Sequence, residues 1–239
     1  MAKYFMARGI LFLSLLLAAG CVTPQPSQDY ASILTSTDRP NEERLMDAAR
    51  KPQEVLAFYG AKRGDKVADI YAGRGYYTAI LSELVGAQGI VYTVNPNSRD
   101  EINQRWKTAK FANVKVADGP FDKLALPQDG SLDFVLIHLN YHDLAPETRG
   151  PMNKRILTSL KRGGIYAVVD HSAKDGSGNE ANKTLHRIDK FQVIKEVSEA
   201  GFNLAKEGTM LRKPGDARDF NVNKERDKDD RFVLAFQKP

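Results

Sequence analysis

The run from Lys66 to Asn97 constrains the fold more than any other part of the chain. It reads as a buried strand (Val67 to Ile70), a glycine-bearing turn (Ala72-Gly73-Arg74-Gly75) and an amphipathic helix (Tyr77 to Val85). A glycine turn and a second buried strand (Ile90 to Val94) complete it. Continuous apolar runs of strand length flanking a helical period make one β-α-β unit, the building block of a parallel sheet. Its glycines fall where the chain leaves a strand and enters a helix. There the backbone can approach a ligand closely and the helix N-terminus offers unpaired N–H groups.

The rest of the chain alternates in the same way. A helix is predicted from Pro40 through Glu43 to Ala49, and another over Pro52 to Tyr59, with Pro at its first position and Gly60 closing it. Further helices are expected over Ser98 to Lys110 (Ser98 as N-cap), Pro146 to Leu160 and Asp189 to Ala200. Strands are expected at Val114–Ala117, Leu132–Leu139, Ile165–Val169, Phe202–Lys206 and Arg231–Phe236. Arg212 to Asp230, with alternating charges and Pro and Gly, reads as an exposed hairpin loop.

Asp69-Ile70-Tyr71-Ala72-Gly73-Arg74-Gly75 resembles motif I of the class I S-adenosylmethionine-dependent methyltransferases, an acid followed by a short glycine-rich turn. A narrower likeness rests on several segments together. They are Arg50-Lys51-Pro52, Phe58-Tyr59-Gly60, Gly75-Tyr76-Tyr77-Thr78, Asn140-Tyr141-His142-Asp143, Asp170-His171, Leu185-His186-Arg187 and Ala200-Gly201-Phe202. This combination is similar to a group of predicted, often exported bacterial methyltransferases, over roughly residues 39–239. The resemblance implies a three-layer, Rossmann-like α/β fold with seven strands, mostly parallel, and an antiparallel C-terminal strand.

It also implies S-adenosyl-L-methionine as cofactor. The loop of Gly73 and Gly75 would face its methionine half with Asp69 beneath it, Thr78 is a further cofactor-binding candidate, and Asp118 matches an acid that often meets the adenine amino group. A solvated turn aspartate is the alternative for Asp118. Two positions depart from the pattern. Tyr71 replaces the first glycine, where it either clashes with the cofactor or turns aside and walls the pocket. Asn95, at the end of the second strand, replaces the acid that accepts both ribose hydroxyls. The bland reading of the whole turn is a tight strand-to-helix connection that binds nothing.

Ligands of open α/β sheets bind beyond the carboxyl ends of the strands. Strand four runs into His138-Leu139-Asn140-Tyr141-His142-Asp143 and strand five into Asp170-His171. His142, Asp143, Asp170 and His171 are therefore the candidate acid–base residues, with Tyr76, Tyr77, Asn140, Tyr141, His186 and Arg187 on the substrate side. His138, inside an apolar run, reads as a hydrogen-bonded core residue. His186 and Arg187 could equally cap or bridge neighbouring acids. No pair has the spacing of a known metal motif, so no metal is assigned, although a mixed His/Asp site stays open.

At the N-terminus, Lys3 and Arg8 precede an apolar run, Ile10 to Ala19, too short to span a bilayer. The run ends Leu17-Ala18-Ala19-Gly20-Cys21, which resembles a lipoprotein cleavage site, and Cys21 is the only cysteine. The expected organisation is a signal peptide over 1–20, a tether over 21–38 after a lipidated Cys21, and the methyltransferase-like domain over 39–239. The alternative for Cys21 is a buried structural thiol. A lipid anchor at Cys21 would place the protein on the bacterial envelope, by analogy on the outer membrane facing the periplasm. The net charge of +5 is interspersed with acids and gives no argument for nucleic acid. A small-molecule acceptor is expected.

Three functions follow. The leading one is an envelope-anchored S-adenosylmethionine-dependent methyltransferase. The others are a non-catalytic binding protein on the same fold and a His/Asp metal-dependent hydrolase. The periplasmic placement weighs against the first, because the cofactor is made in the cytoplasm.

Overall fold

The computed structural model describes Met1, residues 30–97 and residues 99–239. The signal peptide, Cys21, the first part of the tether and the Ser98 N-cap lie outside the described residues. Among those residues no helix is long and apolar enough to cross a membrane.

Seven strands form one sheet: β1 (Lys66–Ile70), β2 (Ile90–Val94), β3 (Val114–Val116), β4 (Leu132–His138), β5 (Leu160–His171), β6 (Asn203–Gly208) and β7 (Arg231–Gln237). Their order is β3-β2-β1-β4-β5-β7-β6. All pairings are parallel except those of β7, which runs antiparallel to both β5 and β6. The expected α/β architecture holds. The order reverses between β1 and β4, so their carboxyl ends flank the crevice where such sheets bind ligands.

The strand sequences explain the three layers. Side chains alternate across a strand, and both faces of the central strands β1, β4 and β7 are covered, so nearly every position in them is buried, whereas the edge strands β3 and β6 are largely exposed. Ala68, Ile70, Val135 and Ile137 point to one face, against Met152 and Ile156 of α7 (Pro146–Ser159) and Val193 and Val197 of α8 (Lys190–Glu199). Val67, Val91, Phe134 and Leu136 point to the other. They meet Val55 and Leu56 of α4 (Pro52–Tyr59) and Ile80, Leu81 and Leu84 of α5 (Tyr76–Val85).

The structure amends four boundaries. The expected tether is folded from residue 30: α1 (Tyr30–Thr35) packs on this second face, with Tyr30 buried in the core. The single helix expected after Pro40 is two short ones, α2 (Asn41–Leu45) and α3 (Asp47–Arg50). Lys51 then reverses the chain at φ 44° before Pro52 opens α4. The helix expected over Ser98 to Lys110 is only α6 (Asp100–Arg105), because Trp106 turns inward to pack on Phe111.

The fourth amendment matters most for the site. Most of the 212–230 segment is exposed as expected, but three of its acids turn inward: Asp216 meets the fully buried Arg187 at 2.7 Å, and Asp229 and Asp230 are buried. Asp230 is held by Arg212 and Arg218 at 2.9 and 3.1 Å. The charges at its two ends, rather than those of its exposed middle, form this ion-pair network.

Candidate active site

A cavity of 640 Å³ opens over the carboxyl ends of β1 and β4, a volume suited to a cofactor-sized ligand. Its floor is the turn after β1. Its walls are α2 and α3 on one side and residues of the 212–230 segment on the other, among them Val222, Arg226 and Asp229.

The glycine turn is built by an unexpected residue. Asn95 Oδ1 accepts the Gly73 N–H at 2.9 Å and Asn95 Nδ2 donates to the Gly73 carbonyl at 3.3 Å. Both ends of the amide hold the loop, and Asn95 does not line the cavity. Asp118 likewise accepts from the Asn95 N–H at 2.8 Å and from Asn103 Nδ2 at 3.1 Å, so it braces β2 rather than facing a base. Thr78 is fully buried and donates to Asp69 at 2.7 Å, orienting that carboxylate. These three expected cofactor contacts support the pocket from behind.

Gly75 cannot be anything larger. It sits at φ 86°, and a Cβ there would lie 2.2 Å from the Trp106 indole. Tyr71 occupies the first-glycine position in the left-handed conformation a glycine would take, φ 58°. Its ring turns aside onto Phe121, 5.0 Å between centroids, and walls the cavity. Leu139 and His186 are also left-handed, so backbone strain collects around the site.

Inside the cavity several polar groups lack protein partners. Asp69 is buried, which pushes its pKa up to about 6 despite the Thr78 hydrogen bond. His138 is also buried and neither ring nitrogen has a hydrogen-bond partner among the described residues, nor has the Tyr77 hydroxyl beside it. Burial, reinforced by the Arg50 and Arg231 cations, holds His138 well below the usual histidine pKa, hence neutral. His138 is therefore not the hydrogen-bonded core residue expected. The Arg50 guanidinium stacks on the Tyr76 ring at 4.5 Å and faces the cavity with no ion pair among the described residues. Tyr76 itself donates to Asp47 at 2.6 Å.

The expected acid–base set divides in two. His171 lines the cavity, with Nδ1 bound to Asp229 Oδ2 at 2.5 Å and no partner recorded for Nε2 among the described residues. Arg231 holds the same carboxylate through Nε and Nη2, at 2.8 and 3.0 Å. Burial opposes the Asp229 charge, but His171 and Arg231 outweigh it and hold its pKa far below the carboxylate range. His142 lies behind His171, outside the cavity lining. Its Nδ1 meets Asp170 at 2.8 Å and its Nε2 meets Asp143 at 3.2 Å. Burial opposes its charge too, yet the two carboxylates raise its pKa to about 10. His186 Nδ1 joins Asp143 from the other side at 3.3 Å.

Asn140 lines the cavity and donates to Asp143 at 3.3 Å. Two expected substrate-side residues are structural. Tyr141 is fully buried, bonded to Glu196 and Asn153. Arg187 ties Ser172, Asp216 and Phe220 together. Arg50, His138, Asp229 and Arg231 are the site residues that reading the sequence passed over. Arg50 was visible only as part of its Arg-Lys-Pro motif, and Asp229 was hidden in a charged run.

The ubiE/COQ5 methyltransferase family matches residues 33–184, more than half of the chain. The chain belongs to that family. The family match stops before Val222, Asp229 and Arg231, so the side of the cavity built by the 212–230 segment and the start of β7 lies outside it.

Among curated relatives, the protein-L-isoaspartate O-methyltransferase of Ignicoccus hospitalis is 33% identical over 143 residues, 59% of this chain and 62% of that one. The demethylmenaquinone methyltransferase of Staphylococcus aureus strain JH9 is 30% identical over 121 residues, 50% of this chain and 48% of that one. The chain thus covers less than two thirds of the length of either. Among solved structures, an S-adenosylmethionine-dependent methyltransferase from Aquifex aeolicus shares the fold at TM-score 0.62 and 19% identity, over 88% of this chain and 99% of that one. The geranyl diphosphate C-methyltransferase of Streptomyces coelicolor, solved with S-adenosyl-L-homocysteine, shares it at TM-score 0.61 and 12% identity, over 87% and 88%.

Proposed function

We propose that this chain transfers the methyl group of S-adenosylmethionine to a small-molecule acceptor bound under the 212–230 segment, with His171 as the acceptor's base. The observation that carries the reading is the pair of buried, unpartnered groups in the cavity over the glycine turn, His138 and the Tyr77 hydroxyl, beside a cation with no ion pair among the described residues, Arg50, and a buried acid, Asp69. A zwitterionic amino-acid end needs a cation for its carboxylate and an acid or acceptor for its ammonium. Arg50 supplies the first, and Asp69 and the neutral His138 the second. Burying the His138 ring nitrogens and the Tyr77 hydroxyl without partners is costly, so their persistence points to a ligand that completes them. When bound, the sulfonium supplies an activated methyl group, and tyrosine ring faces suit a sulfonium cation.

What remains for the protein is alignment, water exclusion and one proton. His171 Nε2 would take that proton from the acceptor while Asp229 holds Nδ1–H and stabilises the imidazolium. Arg231 fixes Asp229. It also donates to the Ala49 carbonyl at 3.1 Å, which ties the end of the 212–230 segment to α3, the helix carrying Arg50. Incubation of the full chain with methyl-labelled S-adenosylmethionine and an envelope extract should transfer label to one acceptor class. Asp229→Asn should slow transfer by about 10²-fold or more. Equal labelling by wild type and variant would reject the assignment of the base.

A second reading, a non-catalytic binding protein on this fold, is favoured by Asn95: it lacks an acid's charge and its amide is committed to Gly73. Ligand binding without label transfer to any extract would select it. The Cys21 lipid anchor, with the domain on the envelope, is also part of this proposal and rests on the sequence alone. Cys21→Ser should move the protein from the membrane to the soluble fraction.

A further inference from the structure

Behind the cavity, three side chains bring one donor atom each to a common point: His142 Nε2, Asp143 Oδ1 and His186 Nδ1. All three atoms lie within 4.8 Å of one another. We propose that they form a binding site for one divalent first-row transition ion, distinct from the cofactor cavity, the ion displacing to solvent the proton that His142 Nε2 shares with Asp143.

The separations fit metal ligation. Zinc-like bonds to His nitrogen and Asp oxygen are about 2.0–2.2 Å long, so ligands at octahedral to tetrahedral angles stand about 2.9–3.5 Å apart. Asp143 Oδ1 is 3.2 Å from His142 Nε2 and 3.3 Å from His186 Nδ1. Two imidazoles and one carboxylate are the donor set of facial metal sites with open positions, suited to iron, manganese or zinc rather than calcium.

The supporting shell is present too. A metal-bound histidine typically gives its other ring nitrogen to a carboxylate, which fixes the ring and aims the lone pair. Asp170 does this for His142. One oxygen meets Nδ1 at 2.8 Å and the other accepts the His142 backbone N–H, also at 2.8 Å. Asp170 is fully buried, so the arrangement is rigid. On the far side, Asn140 holds the second oxygen of Asp143. His186 reaches the site only by adopting φ 53°, a conformation that costs a histidine free energy. The side chains of Asp143 and His186 are each 32% exposed, which leaves the remaining coordination positions open to water or to an oxygen of a bound molecule.

Asp170 is also the link to the cavity, since the His171 backbone N–H donates to it at 2.8 Å. An ion at this point would therefore stiffen the strand end that carries His171.

The test is the metal content of the full chain, purified without chelator and measured by inductively coupled plasma mass spectrometry. After chelation it is titrated with Mn²⁺, Zn²⁺ and Co²⁺, following the melting temperature and the visible Co²⁺ bands. The expected result is one ion per chain, a raised melting temperature and Co²⁺ bands of nitrogen/oxygen ligation. His186→Ala, at a half-buried position whose loss spares the core, should keep the far-ultraviolet spectrum and lose at least ~10-fold in metal affinity. Two results would overturn the site. One is less than a tenth of an ion per chain with no thermal shift for any of the three metals. The other is metal retained at full affinity by His186→Ala.

Discussion

Asp229 and His171 form a buried couple, Oδ2 to Nδ1 at 2.5 Å, that joins the end of the 212–230 segment to the end of β5. The two residues are 58 positions apart in sequence. Arg231 clamps the acid from the opposite side, so the couple is preorganised before any ligand enters. On this account Asp229→Asn should lower kcat by about 10²-fold or more, the usual weight of one acid–base group. The affinity for the cofactor should change little. Steady-state rates and a binding titration on the same preparation check both halves.

Asp69 sets a stability cost that varies with pH. Its pKa rises from an unfolded value near 3.8 to about 6 in the folded protein because burial disfavours the charge. The native state therefore binds this proton more tightly than the unfolded state, and the stabilisation is complete below pH ~4. It is lost as pH rises through about 6, by at most about 3 kcal/mol. Asp69→Asn keeps an oxygen for the Thr78 hydroxyl. It should match wild type near pH 3.5, exceed it in melting temperature at pH 8, and bind S-adenosylmethionine more weakly. Thermal unfolding across that pH range is the check.

Gly75 and Trp106 are fitted to each other. A methyl group at Gly75 meets the indole at 2.2 Å and carries the cost of φ 86° as well. Gly75→Ala should destabilise by about 1–3 kcal/mol, the range for overpacking. Adding Trp106→Leu should recover part of the loss, leaving a favourable coupling energy of about 0.5 kcal/mol or more in a double-mutant cycle. Chemical denaturation of the four proteins measures it.

Asn95 separates a loop staple from a ribose ligand. Restoring the acid expected of the fold, Asn95→Asp, removes the donor to the Gly73 carbonyl and sets an oxygen against it. The loss should be about 1–3 kcal/mol of stability with no gain in cofactor affinity. A tighter complex with the acid would show that the position serves the ribose after all.

Arg187 tests the structural assignment of a residue expected on the substrate side. It and Asp216 are fully buried as an ion pair, and such pairs are costly to break singly. Arg187→Ala should destabilise by about 3–5 kcal/mol and loosen the whole 212–230 segment. A change confined to KM would contradict this.

The sheet was legible because strand burial leaves a direct trace. Runs such as Val67–Ile70 and Leu132–His138 are apolar on both faces, and glycines and prolines mark their ends. Long-range pairing leaves no such trace. Asp229 lies in Asp227-Lys228-Asp229-Asp230, a composition that signals solvent, and only the return of the segment's end onto His171 and Arg231 buries it. His138 was misread for a related reason. A histidine in an apolar strand usually has a hydrogen-bond partner, and its lack of one is a property of the cavity, not of the strand. Asn95 and Thr78 stood at family-like positions, yet their short side chains reach the loop and the acid first.

The central claim is that the Asp69–Arg50–His138 corner receives the amino-acid end of S-adenosylmethionine. Calorimetric titration of the full chain with S-adenosylmethionine and S-adenosylhomocysteine tests it most directly. The account predicts one site per chain, weakened at least ~10-fold, about 1.4 kcal/mol, by Arg50→Ala and by Asp69→Ala. No heat and no thermal shift with either ligand at millimolar concentration would contradict it, as would binding that both variants leave unchanged.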